Sequence, residues 1–403
     1  MQARRSPIPG AAALVLLGAL ARVASATPSE EPVPIVSPYG QLFPALVLAT
    51  SAAEAPLPAA RGAGSGEAPA LGDRDGLVGA RLVARADGEP VTLRIRIPEL
   101  DANGELSTTL ARAGTRYDLF PRMRWNAARL AAAGAGATAT LELGIARAGS
   151  PEQVFRSTLG VHALGEAPYY LADGPRSADL GWIFAAFVDE RDPIVAPLLD
   201  EARTLSGEVF PGYAGGDADE AERQVFALWY ALERRGLRYS PLTDRRSVGG
   251  HVYVQRVRSL AQSLEDRAAN CVDGSVLMAS LLGAVELDAA LVRVPGHMFL
   301  QVALDRAGTR HAYLETTLLN DPRVATDSRA GAAPERDASW RRFQAALASG
   351  ERQYQRARRE LERGRSPEYR VIEIAEARRL GVRAISAAPP APAAGEAAPA
   401  AGY

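Results

Sequence analysis

Apolar and polar positions alternate along the chain from about Gly76 to His162. Val91, Leu93, Ile95 and Ile97 alternate with Thr92, Arg94 and Arg96. Ala137, Ala139, Leu141, Leu143 and Ile145 alternate with Thr138, Thr140 and Glu142. A period of two buries one side of each strand. Asn103-Gly104 is expected to turn the chain between strands. The pattern predicts a small β-sandwich-like domain over residues 76–165. Residues 27–75 read as a linker, mostly flexible. Within it Tyr39–Thr50 is expected to be a strand that joins the sandwich, and Ser51–Gly72 is an aperiodic Ala/Pro/Gly tract.

From about Tyr169 the period becomes helical. Ile194–Arg203 follows Pro193, a favoured helix start. Ala221–Arg235 carries Val225, Leu228, Trp229 and Leu232 on one face, and Gly236 suits its C′ position. Val257, Leu260, Ala261 and Leu264 repeat that spacing, in a helix expected to open at Gln255. The next helix begins at Asn270. Asn270 is a good N-cap, and Asp273 three residues on completes a capping box with Asp in place of Glu. Leu277, Leu281 and Ala284 give that helix a core-facing stripe.

Strands follow at Ala290–Val294, from His297 to Leu304, and at His311–Thr317. His297, Phe299 and Gln301 share one face, and so do Tyr313 and Glu315. A three-residue loop after Leu304 sets His297 directly opposite Glu315. A loop two residues longer makes them diagonal neighbours, still within reach of long side chains. Beyond Thr317 the chain is expected to be peripheral. Trp340, Phe343 and Leu347 suggest a helix, Glu351–Arg365 a solvated helical face, and Val371–Ile374 a strand. This extension covers 331–386, and 387–403 is a Pro/Ala-rich tail expected to be disordered.

Composition narrows the chemistry. The chain has 403 residues and a formal net charge of −1, which offers no basic footprint for nucleic acid or an anionic membrane. Lysine is absent, so the protein has no ε-amine with which to cross-link itself. Residues 1–26 have the form of a signal peptide: Arg4 and Arg5, an apolar run from Ala11 to Ala21, and Ala24-Ser25-Ala26 as a cleavage site. The apolar run is too short for a stable membrane anchor, and no other segment is long enough to span. A soluble periplasmic or secreted protein is expected. In such a compartment cysteines occur mostly as disulfide pairs, yet this chain has 1 Cys. Cys271 is therefore either a reactive thiol or a buried inert one. The four His are scattered and give no metal-ligand spacing, and there is no phosphate-binding Gly loop. His162, His251 and His311 are weak site candidates. No metal and no cofactor is expected.

Cys271 stands on the first turn of a helix, where the positive end of the macrodipole favours a thiolate nucleophile. His297 on a following strand and Glu315 on the next complete an acid–base–nucleophile series. Cys271 with Asp273 two positions later, the apolar helix, Gly296-His297 and the acid on the adjacent strand resemble the transglutaminase-like superfamily, circularly permuted relatives of papain-type cysteine proteases. The resemblance covers about Ala221–Thr317, and Glu315 stands where the family usually has Asp. It implies an α+β fold with a transglutaminase-like core over 166–330, and acyl transfer through a Cys271 thioester. His297 would be the base and Glu315 its orienter. The backbone N–H of Cys271 and the side chain of Gln255 are the oxyanion candidates, with Asn270 as a rival for the second place. Water as acceptor gives peptide or isopeptide hydrolysis, the favoured outcome, and an amine gives a transglutaminase. The partners would be a protein or peptide substrate and an envelope protein bound through the β domain, or the β domain is only a spacer. The alternative is a catalytically inactive scaffold of the same fold for protein binding or envelope assembly.

Overall fold

The alternating stretches form two sheets that share one apolar core. The computed structural model describes residues 31–50, 68–174, 177–324 and 335–385. The expected signal peptide, most of the Ser51–Gly72 tract and the 387–403 tail lie outside the described residues. The larger sheet runs in the order Gln41–Leu42, Gln153–Val161, Ala137–Arg147, Glu89–Ile97, Ala102–Leu110, Arg122–Arg124. The smaller runs Val33–Val36, Val78–Val83, Arg116–Phe120, Ala70–Gly72. Leu93, Ile95, Leu141 and Leu143 of the first meet Leu82 and Leu119 of the second in one buried cluster.

Three expectations fail here. The described parts of the 27–75 stretch are not linker, because Val33–Val36, Gln41–Leu42 and Ala70–Gly72 are strands of these sheets. Tyr39–Thr50 is not one strand. After two paired residues Pro44 starts a helix, Pro44–Thr50, whose Leu46, Val47 and Ala49 are buried. Proline lacks the N–H that a ladder needs and fits a first helical turn. Asn103-Gly104 makes no turn; both residues sit inside a strand opposite Arg96 and Ile95. The reversal is made earlier, by a 3₁₀ turn at Pro98–Leu100 and by Asp101 at φ 47°. Gly104 serves packing instead, since a Cβ there would lie 2.7 Å from the Met123 sulfur.

The remainder is mixed α and β. Ala218–Arg234 is capped by Asp217 and ends in Gly236 at φ +77°. Gly236 N–H donates to Glu233 O at 2.9 Å and Leu237 N–H to Leu232 O at 3.2 Å, a Schellman closure. The central helix, Cys271–Ala284, is buried from Cys271 through Leu282 on every face. Such a helix belongs at the middle of a core rather than on its surface.

A four-stranded sheet follows, in the order His311–Leu314, His297–Ala303, Ala289–Val294, Arg370–Glu373. The central helix packs on it through Met298, Leu300 and Leu291. The opposite face, formed by Val292, Phe299 and Tyr313, is covered by Tyr354 and Leu361 of a long helix, Glu335–Arg363. The described part of the 331–386 extension, 335–385, is thus not peripheral. Phe343, Ala346, Gly350, Tyr354, Ala357 and Leu361 form a helical stripe whose small members bring the backbone close. A Cβ on Gly350 would sit 2.3 Å from Tyr313 O. Arg342 adds a two-pronged pair with the buried Glu233, at 2.7 Å on each oxygen.

Gln255 does not open a helix. It lies on the strand Val252–Arg256, between Arg245–Val248 and Glu166–Leu171. Val252 and Val254 face the core, and Val257 N–H still donates to Gly165 O at 2.8 Å. The helix starts only after Ser259, whose side chain caps Gln262 N–H, and spans Leu260–Glu265.

Candidate active site

Local structure fixes Cys271 from both sides. Asn270 Oδ1 accepts from Val272 N–H at 2.8 Å and Asp273 N–H at 3.0 Å, while Asp273 Oδ2 accepts from Asn270 N–H at 3.1 Å. This is the complete capping box, with Cys271 as the first helical residue. Asp273 also reaches outward: it accepts from Arg258 N–H at 2.9 Å and from Arg258 Nη1 at 2.7 Å. Asn270 and Asp273 are structural here, and Asn270 Oδ1 is committed to the cap.

His297 begins its strand directly after Pro295-Gly296, with Gly296 at φ +75°. Glycine reaches that left-handed conformation without a Cβ clash. Leu300 pairs with Leu314 and Ala303 with His311, and Leu304 N–H donates to Arg310 O at 2.8 Å. The loop after Leu304 is therefore the longer of the two alternatives, and Asp305 closes it by accepting from Thr309 and Arg310. His297 and Glu315 are diagonal neighbours. The longer Glu side chain spans the offset, and His297 Nε2 lies 2.7 Å from Glu315 Oε2.

Cys271 is close enough to the His297 ring to act on its ionisation. Burial opposes a charged imidazole here. The influence of Cys271 and the hydrogen bond to Glu315, with their negative charges, overcome it and push His297 up to about 10. Glu315 is 2% exposed. Burial raises its proton affinity, but the His297 hydrogen bond and charge, then Thr317, hold it below its ordinary value. Thr317 supplies a backbone N–H at 3.1 Å and a hydroxyl at 2.8 Å to Glu315 Oε1.

Four nearby residues went unseen in the sequence. Gln353, from the long helix, donates Nε2 to Glu315 Oε2. Its signal was the small-residue stripe that docks that helix, hidden among Arg and Glu. Tyr239 pairs with Ala269, two residues before Cys271. Its phenol is held above its ordinary range, first by burial and then by the charges of Cys271 and Glu315. Arg245 donates Nε to Gln255 Oε1 at 2.7 Å and Nη2 to Gly296 O at 3.0 Å, bridging the Gln255 strand to the His297 turn. Arg293 contributes a buried guanidinium to the same region. For Tyr239, Arg245 and Arg293 the sequence offers no local signal.

Gln255 lies beside His297 and Val272 in the wall of a cavity of about 390 Å³. Its Nε2 donates to Arg256 O at 2.8 Å. One amide proton is thus occupied, and Arg245 fixes the oxygen. The capping box leaves the N–H of Cys271 unengaged. Cys271 itself is 2% exposed.

The other histidines stand apart from this cluster. His162 is stacked on Phe43 and bonded to Glu166 at 2.6 Å and Gln41 at 2.7 Å. Burial lowers its proton affinity despite Glu166. His251 stacks on Tyr39, and His311 is an exposed strand start. Among the described residues no group of three or more His, Cys, Asp or Glu is placed to hold a metal ion. No helix among them is long and apolar enough to cross a membrane. Neither a family model nor a curated protein sequence matches this chain.

Proposed function

We propose that this chain is an extracytoplasmic, transglutaminase-like cysteine enzyme that acts on amide bonds through a Cys271 thioester. The observations that carry this reading are the His297–Glu315 hydrogen bond, at 2.7 Å, and the nearness of Cys271, which helps raise the proton affinity of His297. A ring so held takes the thiol proton, and its raised proton affinity favours the thiolate–imidazolium pair.

The sulfur attacks the amide carbon, and the carbonyl oxygen takes the negative charge. The N–H of Cys271 is the first donor to that oxygen, and Gln255 provides a second after rotating its free amide proton. The C–N bond breaks as His297 returns the proton to the leaving amine. Water, deprotonated by His297, then attacks the thioester, releasing a carboxylic acid and the thiol. Hydrolysis of a peptide or isopeptide bond is favoured over amine transfer, because an exported hydrolase needs no second substrate pocket.

A second reading, an inactive scaffold for protein binding or envelope assembly, draws support from the 2% exposure of Cys271 and from the committed Gln255 amide. Iodoacetamide labelling of Cys271 across pH, in wild type and His297→Ala, separates the two. The enzyme reading expects fast labelling near neutral pH that collapses in the variant. Slow labelling that rises only near a free-thiol pKa of about 8.5, alike in both proteins, would leave the scaffold.

A further inference from the structure

Gln255 and Tyr253 share the face of their strand that turns away from the core residues Val252 and Val254. Tyr253 is 40% exposed there, whereas Gln255 is 1% exposed. Arg245, directly opposite Gln255 on the neighbouring strand, donates Nε to Gln255 Oε1 at 2.7 Å. A guanidinium carries donors only, so the amide atom that faces it is the oxygen. The same contact sets the nitrogen end. One Nε2 proton goes to Arg256 O at 2.8 Å, which leaves one beside the cavity that Gln255 lines with Val272 and His297.

The guanidinium also reaches a second part of the site. Its Nη2 donates to Gly296 O at 3.0 Å, across to the sheet that carries His297. Gly296, at φ +75°, is the last residue before His297. One fork of donors is thus bonded to the oxyanion candidate and to the turn that delivers the base. A lysine ammonium is a point charge without that planar fork. Without Arg245 the amide is held by its Arg256 bond alone and is free to swing its oxygen toward a developing anion, which repels it. A cation on Oε1 also polarises the amide and strengthens its N–H donors.

We propose that Arg245 is a positioning residue for acyl transfer. It orients the Gln255 amide as the second oxyanion donor and pins the turn that aims His297. This role rests on the amide-acyl-transfer reading, under which Gln255 and His297 act.

Two reagents on the full chain separate the parts. Iodoacetamide alkylates Cys271 without forming an oxyanion. With p-nitrophenyl acetate the sulfur attacks the ester carbonyl, a tetrahedral oxyanion forms, and nitrophenolate leaves as the thioester forms; Cys271→Ala gives the background. Arg245 is exposed, so its replacement leaves the core intact. The ratio of acylation to alkylation rates should fall about tenfold in Arg245→Met, part of the hundredfold or more that an oxyanion donor is worth. Gln255→Ala should lower the ratio at least as far, and adding Arg245→Met to it should lower the ratio no further. Arg245→Lys should do no better than Arg245→Met. Alkylation alone should slow a few-fold in Arg245→Met with or without Gln255, because the Gly296 bond is separate. An unchanged ratio in Arg245→Met, an equal further fall on the Gln255→Ala background, or a full ratio in Arg245→Lys would overturn the proposal and leave a reactive Cys271 in place. A wild-type Cys271 that takes neither reagent, or iodoacetamide alone, would remove the acyl-transfer reading and this role with it.

Discussion

Glu315 Oε2 accepts from two elements far apart in the chain, Nε2 of His297 at 2.7 Å and Nε2 of Gln353. The second donor comes from the Glu335–Arg363 helix, whose Ala346 O also accepts from Glu315 N–H at 3.3 Å. Gln353 acts as a positioning residue. It helps hold the carboxylate that orients the imidazole.

Replacing Gln353 should therefore have a graded effect. Gln353→Ala leaves Glu315 bonded to His297 and Thr317, and Cys271 alkylation near neutral pH should slow by only a few-fold. Gln353→Glu should be worse than the alanine variant, because a second carboxylate in this half-buried position raises the proton affinity of Glu315. Glu315→Gln should cost about a hundredfold or more, by analogy with removing the charge behind a catalytic histidine. Alkylation rates measured from pH 5 to 9 on the three variants give the order. If Gln353→Glu equals Gln353→Ala, Gln353 is packing alone.

The pair also makes stability depend on pH. His297 is raised in the fold, from an ordinary value near 6.5 to about 10. Its stabilising contribution is full below about 6.5, where folded and unfolded chains are both protonated, and is lost as pH rises toward 10. Glu315 is lowered, so its contribution is present above the ordinary carboxylate value and is lost on acidification through its folded value. The Tm gap between wild type and His297→Ala should be widest near pH 6 and shrink steadily toward pH 10. A gap that grows with pH in that interval would contradict a protonated His297 in the fold.

The sequence carried much of this site and less of its support. Cys271, Asn270 and Asp273 were legible because a capping box is a local device. His297 and Glu315 were legible to within one register choice, because strand alternation leaves only two pairings for them. Gln255 was assigned to a helix, since Val257, Leu260 and Leu264 mimic helical spacing across a strand–turn–helix junction. Glu351–Arg365, the second half of the long helix, was taken for a solvated face because its packed positions, Tyr354, Ala357 and Leu361, are outnumbered by Arg and Glu. Asn103-Gly104 misled for a related reason: Gly104 answers a close approach from Met123, not a turn. Distant packing of this kind leaves no trace in local pattern.

Gly350 connects that helix to the site. The Cβ that Gly350→Ala adds would meet Tyr313 O at 2.3 Å and Leu314 N at 3.0 Å, both backbone atoms that cannot rotate away. The helix must lift from the strand, at a cost of about 1–3 kcal/mol. Gln353 lies one turn further on and should move with it. Gly350→Ala is expected to lower urea stability by that amount and to slow Cys271 alkylation at least as much as Gln353→Ala does. Unchanged alkylation together with lowered stability would show that the lift does not reach Glu315.

Asp273 should matter more to folding than Asn270, although both belong to one capping box. Asn270→Ala removes the acceptor for two backbone N–H groups at a helix start, a loss of about 1 kcal/mol. Asp273 is almost wholly buried and accepts from Asn270 N–H, Arg258 N–H and the Arg258 guanidinium. Asp273→Ala strands both backbone N–H groups and leaves the Arg258 guanidinium only Asp266, 3.6 Å away. The expected cost is about 3 kcal/mol, because two buried donors lose their acceptor and the cation loses its closest partner. Arg258 precedes the Leu260–Glu265 helix, so the lost link also frees that segment from the start of the Cys271 helix. Urea unfolding at pH 7 measures both variants, and the double variant Arg258→Met with Asp273→Leu isolates the charge. If the double variant recovers most of the loss, the penalty came from the stranded guanidinium. If it does not, the two backbone N–H groups that Asp273 served are what hold Cys271 in place.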